Sequence, residues 1–436
     1  MTTAQVTSRP PFDDPVSAQT QWISLLSIAW LLLGVRVDLV SLGGSSVRLE
    51  DVILAGLAAR LLPRLPELAK DRVNLLMLLI AAASVMSLGF ASGAGRVEAP
   101  VGLLYALRPL EYWVVYATLV PAKGRLTVSE SRLRRLVYVV VLVQVAAASA
   151  QVLGGVSFGF SKFSVERGAG LTAGPYELGA ICVIGGLYAL GRGNLAIFAV
   201  GLLGILLSAS RISLVAYLVG ATFLVGALLL RRRSTTTVRP GTVGVTLGSM
   251  ALVVALIASP VMGSITSPLS DRLTSTSILS TWHDSREIAS VVPTPHSSMQ
   301  YFQIAYGSIS SIQEGPSADN SSLIRFYRWN LLLFALSAEG AYLLGLGPSF
   351  PGPSVDGALL RIFVETGIVG LLLWCVLYVS LFRRSDVAGR SALLATLVGS
   401  LVIDLPFAMR VAVLLLVVLA ASQRASNLQA GGEVDG

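Results

Sequence analysis

Arginines stand in this chain where apolar segments usually exclude them. Arg48, Arg167, Arg211, Arg325, Arg328, Arg361 and Arg410 all lie at or beyond the ends of long apolar runs, and Arg108 lies inside one. An ionisable group in such a run is costly and marks function by default. A guanidinium presents a planar fork of donors that grips phosphate oxygens in pairs. An anionic partner of the pyrophosphate kind accounts for the whole set. Taken singly, each arginine is equally explained by a side chain snorkelling to lipid headgroups. The tightest group is Ser208-Ala209-Ser210-Arg211-Ile212-Ser213, a turn between two apolar runs that projects Arg211 outward. Carboxylates accompany several arginines. Glu50 and Asp51 follow Arg48, and Glu111 follows Arg108. Glu365 stands four residues after Arg361, on the same helical face, and reads as its pairing partner. Glu177 and Asp404 read as helix-terminal charges. The only histidines, His283 and His296, fall in a polar stretch and read as surface residues. No His, Cys or carboxylate set has metal-ligand spacing, so neither a metal nor a cofactor is expected.

The elements that must carry these residues are membrane helices. The hydrophobic set makes up 54% of the 436 residues and charged residues only 13%, against about 25% charged in soluble domains. Runs such as 73–91, 136–153 and 212–230 each supply roughly the 20 apolar residues that cross a bilayer, and backbone groups in lipid must be satisfied within the segment. The fold class expected is an all-α integral membrane protein of about twelve transmembrane helices. Spans are expected at 22–40, 49–63, 73–91, 101–121, 135–153, 174–191, 194–208, 211–230, 243–263, 358–382, 390–404 and 406–422. Residues 1–21, with Pro10, Pro11, Asp13, Asp14 and Pro15, read as a disordered cytoplasmic tail with no cleavable signal peptide, and 423–436 as a second cytoplasmic tail. The domain plan is therefore helices 1–9 over 22–263, one large external loop over 264–357, and helices 10–12 over 358–422.

Orientation follows from the basic loops. With the N-terminus inside, the cytoplasmic segments hold Arg64, Lys70 and Arg72; Lys123, Arg125, Arg132, Arg134 and Arg135; Arg192; Arg231, Arg232, Arg233 and Arg239; and Arg383, Arg384 and Arg390. An even span count returns the C-terminus to the same side. Residues 329–347 are apolar but interrupted by Glu339 and Gly340, and a span there would invert the basic loops that follow. They are expected to form an amphipathic helix at the outer interface. Cys182 and Cys375 lie in apolar runs and read as small hydrophobes. Three of the 32 basic residues are lysines, and the net charge of +8 is dispersed between spans. That suits anionic membrane lipid and argues against a nucleic-acid partner.

Four segments give the chain a family look. Ser45-Ser46-Val47-Arg48-Leu49-Glu50-Asp51 leads into the second span, and Arg167-Gly168 followed by Pro175-Tyr176-Glu177-Leu178-Gly179 into the sixth. Ser210-Arg211 forms the turn after the seventh. Arg325, Arg328, Trp329 and Gly345-Leu346-Gly347 precede Asp356-Gly357 and Glu365-Thr366-Gly367. In this order the chain, from about 45 to 380, resembles the O-antigen ligase and polymerase superfamily, membrane glycosyltransferases of GT-C type that use polyprenyl-pyrophosphate-linked glycans. The resemblance implies that Arg167, Arg211 and Arg328, with Arg325 as a substitute for the last, bind the donor's pyrophosphate. It also implies that an acceptor hydroxyl, on a glycan or a lipid-linked acceptor, attacks the anomeric carbon with help from a general base. The ligases' His-Asn pair is replaced here by Asp356-Gly357, which tips the expectation toward a polymerase. Asp356 reads equally as that base or as the N-cap of the tenth span. Arg361 and Glu365 are supporting residues. The implied place is a bacterial plasma membrane, among possible cell-envelope assembly proteins. The alternative class is a multi-pass transporter or lipid-linked sugar flippase.

Overall fold

The computed structural model describes residues 18–34, 37–42, 45–121, 126–156, 167–232, 278–307, 320–352 and 355–423, with scattered positions between 244 and 251. The expected ninth span, both tails and residues 264–277 lie wholly or largely outside them. Among the described residues the chain is helical apart from one hairpin and the loops. Helix α1 spans Ala18–Leu33, and strands β1 (Asp38–Leu42) and β2 (Ser45–Arg48) pair antiparallel, Val40 facing Val47. There follow α2 (Leu49–Leu61), α3 (Arg72–Gly93), α4 (Ala99–Ala106), α5 (Arg108–Leu119) and α6 (Glu130–Gly154). Then come α7 (Pro175–Gly191), α8 (Leu195–Ser208) and α9 (Arg211–Arg232). The region expected as a loop holds α10 (Ile278–Ser290), α11 (Ser298–Gly307) and α12 (Asn320–Ala338). The chain closes with α13 (Ala358–Arg384), α14 (Val387–Ser400) and α15 (Met409–Ala421).

Among the described residues four helices, α3, α6, α9 and α13, are long and apolar enough to cross a membrane. Five shorter apolar helices, α1, α7, α8, α14 and α15, accompany them. Several expected spans are thus shorter than written. The first stops at Leu33 and gives way to the hairpin. The fourth is two helices, because Pro109 cannot donate a backbone hydrogen bond and the path breaks at Leu107. Short helices survive because they are enclosed. Nearly all of α7 and α15 is buried, and α7 lies against α6, α8, α9, α14 and α15. Close approach there rests on small residues: a Cβ on Gly201 would stand 3.1 Å from the Cα of Gly186.

Helix ends gather into two sets. At one end Asp71 caps α3, accepting from the N–H groups of Val73 and Asn74, and Arg384 donates to it at 2.6 Å. Arg192 pairs there with Asp386 at 2.8 Å and with Glu130 at 3.2 Å, and donates to the carbonyl of Ala421. At the other end lie Asp404, Arg361 and the start of α13.

The middle of α13 is broken. Gly367 has φ 65° and ψ −163°, and the turn 342–346 docks against the gap. The Ile368 N–H donates to Tyr342 O at 2.9 Å and the Leu346 N–H to Val364 O at 2.7 Å, while Ser87 Oγ donates to Glu365 O at 2.6 Å. The Val369 N–H also donates to Leu343 O, so these four bonds take up backbone groups that the break frees, as an apolar surrounding demands. Gly345 and Gly367 are each pressed against the other segment's backbone. Helix α12 starts earlier than expected and stops at Ala338, where Gly340 takes a left-handed φ of 58°. It is not a lone interfacial helix. Tyr327, Leu331, Leu332, Ala335 and Leu336 share a core with Tyr301, Phe350, Leu88 and Val364, so α10–α12 form a cap seated on α3, α4 and α13.

Candidate functional site

Arg325 and Arg328 lie three residues apart on α12 and so share a face. Arg328 is 8% exposed, and its guanidinium stands over the Tyr306 ring, 4.1 Å from the centroid. Its Nε makes no hydrogen bond among the described residues, nor does the buried hydroxyl of Tyr301. Burial pushes the phenols of Tyr301 and Tyr306 above their ordinary range, so both stay neutral. Arg325 faces Asp356, Nε to Oδ2 at 3.5 Å, with both side chains partly exposed.

Asp356 does not cap α13. Gly357 is the N-cap and, having no side chain, supplies no capping bond of its own. Asp356 instead has φ 56°, a left-handed conformation unusual for a residue with a Cβ but most tolerated by Asp and Asn. The acceptor of this turn is Asp404. It takes the N–H of Val355 at 3.1 Å, the N–H of Gly357 at 3.0 Å and Arg361 Nη1 at 3.0 Å. Trp329 Nε1 adds a bond to Val355 O at 2.9 Å. The turn that displays Asp356 is thus held by a residue that the sequence offered only as a helix-terminal charge. Its signal was faint: an aspartate before Leu405-Pro406, where a span ends.

Arg361 is 1% exposed and fully engaged. Besides Asp404 it bonds Glu365 Oε1 at 3.0 Å and the Gly352 carbonyl at 2.9 Å, with Phe407 and Tyr105 beneath its plane. Arg361 and Glu365 therefore form a structural knot, tied through Asp404 to the turn that carries Asp356.

Arg167 and Arg211 belong to a second group. Arg167 donates to the carbonyls of Ser208 (3.2 Å) and Ala209 (3.1 Å). These are orphan acceptors at the C-terminus of α8, where a cation is favoured. Ala209 turns with φ 46° and α9 starts at Arg211, whose side chain is exposed. Ser208, Ser210 and Ser213 are buried beneath, Ser213 Oγ to Ser210 Oγ at 2.8 Å, against a face of Gly179 that no Cβ would fit. The loop bearing Arg167 is itself held by α6. Gln151 accepts the N–H groups of Ala169 and Gly170, and Gln144 that of Leu171, each at 2.8 Å. Tyr176, at the start of α7, lies within reach of the charges of Glu177, Asp356 and Asp404. A small apolar cavity beside it is lined by Ala180, Ile184, Ile212, Ser213, Gly399 and Leu405.

The remaining charges have local roles. Asp51 accepts the backbone N–H of Arg48 at 2.7 Å, Arg108 lies 4.3 Å over Tyr105, and Arg410 donates to the Gly34 carbonyl at 2.5 Å. Glu177 accepts from the Ala173 N–H. His296 is exposed and pairs with Glu339 at 2.7 Å, which also binds Arg96 at 2.8 Å. Among the described residues, no three His, Cys, Asp or Glu side chains converge as metal ligands would. Compared with models of protein families and with curated proteins, the chain matches none.

Proposed function

We propose that this protein transfers glycans from polyprenyl-pyrophosphate carriers, polymerising or ligating them at the outer face of a bacterial plasma membrane. The observation that carries the reading is Arg328: a cation more than nine-tenths enclosed, its Nε without a hydrogen-bond partner among the described residues, beside the Arg325–Asp356 pair. A buried donor on a charged group is costly unless something accepts from it, and a pyrophosphate oxygen would. In this reading the twelve expected spans carry the Asp404 end outward, with both termini inside. The gathering of the basic loops at the Asp71 end supports that orientation.

The chemistry balances simply. An acceptor hydroxyl oxygen forms a bond to the anomeric carbon, and its proton passes to the Asp356 carboxylate. The bond from that carbon to the pyrophosphate oxygen breaks, and the electron pair leaves on the polyprenyl pyrophosphate. Arg325 and Arg328 oppose the charge that develops there, the kind of stabilisation that supplies most of an enzyme's acceleration. Arg211, exposed at its turn, supplies a further cation on the same face. Arg167 serves through its hold on that turn. A polymerase is preferred over a ligase, since Asp356-Gly357 stands in place of His-Asn.

The test is incubation of the purified protein with polyprenyl-pyrophosphate oligosaccharides from its host, with Arg328→Gln and Arg211→Ala alongside. A ladder of repeat units with free polyprenyl pyrophosphate, lost in Arg328→Gln, is expected of a polymerase. A single transfer to a different acceptor would make it a ligase. One observation favours a transporter: helices are interrupted at Leu107 and at Gly367, as in carriers that bind at broken helices. Movement of an intact lipid-linked glycan across proteoliposomes, without release of pyrophosphate lipid, would establish that reading and overturn the transferase.

A further inference from the structure

Three aromatic rings lie in line on the cap. Trp282 of α10 meets Phe326 of α12 edge to face at 5.5 Å, and Phe326 meets Trp329 at 5.4 Å. All three are half-buried, so each keeps part of its ring accessible. The line is rigid. Behind it Asn330 donates to Ser285 Oγ and to the Phe326 carbonyl, both at 3.0 Å, fastening α12 to α10. Trp329 is fixed by its bond to Val355 O, and its six-membered ring packs on Gly357, where a Cβ would come within 3.0 Å. The line therefore ends one residue from Asp356, beside Arg325. Its other end is flanked by exposed His283, Asp284 and Arg286.

We infer that Trp282, Phe326 and Trp329 form a subsite for the sugar rings of the acceptor glycan, leading its terminal hydroxyl to Asp356. This rests on the transferase reading and adds to it where the second substrate binds. A pyranose offers one face of C–H groups, apolar and slightly positive, while its rim is hydroxyl. The face of an aromatic ring is apolar and slightly negative, and the charged side chains around this line can meet the hydroxyls. An isoprenoid tail has no use for such a rim. Successive rings admit successive sugars, which suits a growing chain. The bond that holds Trp329 and the Asn330 tie between α12 and α10 also reduce the ordering cost of binding.

The experiment uses the full-length protein in nanodiscs. The probes are lipid-free oligosaccharide released from the host's polyprenyl-linked pool and sugar-free polyprenyl pyrophosphate. Binding is followed by saturation-transfer NMR and by titration. Wild type is expected to bind both. Trp282→Ala should weaken oligosaccharide binding about tenfold, which is about 1.4 kcal/mol, and leave polyprenyl pyrophosphate binding unchanged. Trp282→Phe, which keeps a ring and the packing on Phe326, should recover most of the loss and guards against misfolding. Equal oligosaccharide affinity in wild type and Trp282→Ala would overturn the inference. So would a loss confined to polyprenyl pyrophosphate, which would assign the rings to the lipid tail. Wild type that binds polyprenyl pyrophosphate but not the oligosaccharide would sink the subsite and leave the transferase standing. Wild type that binds the oligosaccharide at these rings but never the pyrophosphate would sink the transferase reading instead.

Discussion

Arg361 and Arg328 sit on neighbouring helices at the same end of the molecule, both nearly cut off from solvent. Around Arg361 every direction is answered: Glu365, Asp404, the Gly352 carbonyl and two aromatic rings. Around Arg328 there is a tyrosine face and a buried Nε with no acceptor among the described residues. The same side chain thus meets two settings. Where carboxylates converge on it, a guanidinium joins segments distant in sequence. At Arg328 a buried donor is left without an acceptor among the described residues. The difference lies in what surrounds each arginine, which a list of residue types cannot convey.

The largest expected effect comes from removing the knot. In Arg361→Met, Glu365 and Asp404 would be left buried without their cation, and breaking one partner out of a buried pair costs about 3–5 kcal/mol. The turn 355–357 would lose its anchor as well. Thermal unfolding in detergent should drop sharply, together with activity. Arg328→Gln should leave the unfolding temperature nearly unchanged and abolish binding of polyprenyl pyrophosphate. If Arg361→Met unfolded like wild type while Arg328→Gln collapsed, the two roles would have to be exchanged.

Much of this was legible beforehand, and the exceptions share a cause. Apolar runs announced membrane helices, and the i, i+4 spacing announced the Arg361–Glu365 pair. The basic loops place Arg72, Arg192 and Arg384 on one side, and in the structure Asp71, next to Arg72, meets Arg384, while Arg192 meets Asp386, two residues after Arg384. What escaped were relations between segments far apart. Asp404 reaches back to residues 355–361 across more than 40 positions, and no local pattern encodes that. An aspartate just before a helix invites reading as a cap. In the fold Asp356 has a left-handed φ, and the N–H groups on either side of it are bound by Asp404. Breaks within spans escape for a related reason. Hydropathy continues through Leu107, where the expected fourth span divides into two helices, and through Gly367, where α13 kinks within its expected bounds.

The break in α13 sharpens the comparison at intermediate cost. Gly367 carries a φ of 65°, and an added Cβ would strike the backbone of Leu343 and Leu344. Gly367→Ala should destabilise by about 1–3 kcal/mol from backbone strain alone, with more from the clash. Because the turn 342–346 is pressed against the first turns of α13, the displacement should also reach Arg361. Hydrogen exchange is expected to quicken at Leu346 and Ile368, whose N–H groups bridge the two segments. Unchanged exchange there would mean that the turn and the knot are independent.

The smallest effect concerns the tie between the cap and the helices beneath it. Glu339 is held below the usual glutamate range, first by its hydrogen bond with His296 and then by Arg96, which outweigh the opposing effect of partial burial. A depressed carboxyl stabilises the fold at pH values above its unfolded value, about 4.3. That contribution is lost as pH falls through the lower, folded value. Above this range Glu339 joins Arg96, after α3, to His296, before α11. Acidification below it should therefore loosen α11 selectively, raising exchange across Ser298–Gly307 a few-fold while the Arg361 knot stays protected. Glu339→Gln should show the looser state at every pH and no acid step. This pair is partly exposed and so weak, which is why its loss should free the cap locally without unfolding the chain. An acid step that appeared equally in α11 and around Arg361 would show the two regions to be a single cooperative unit, and the contrast between Arg361 and Arg328 would then be one of chemistry alone.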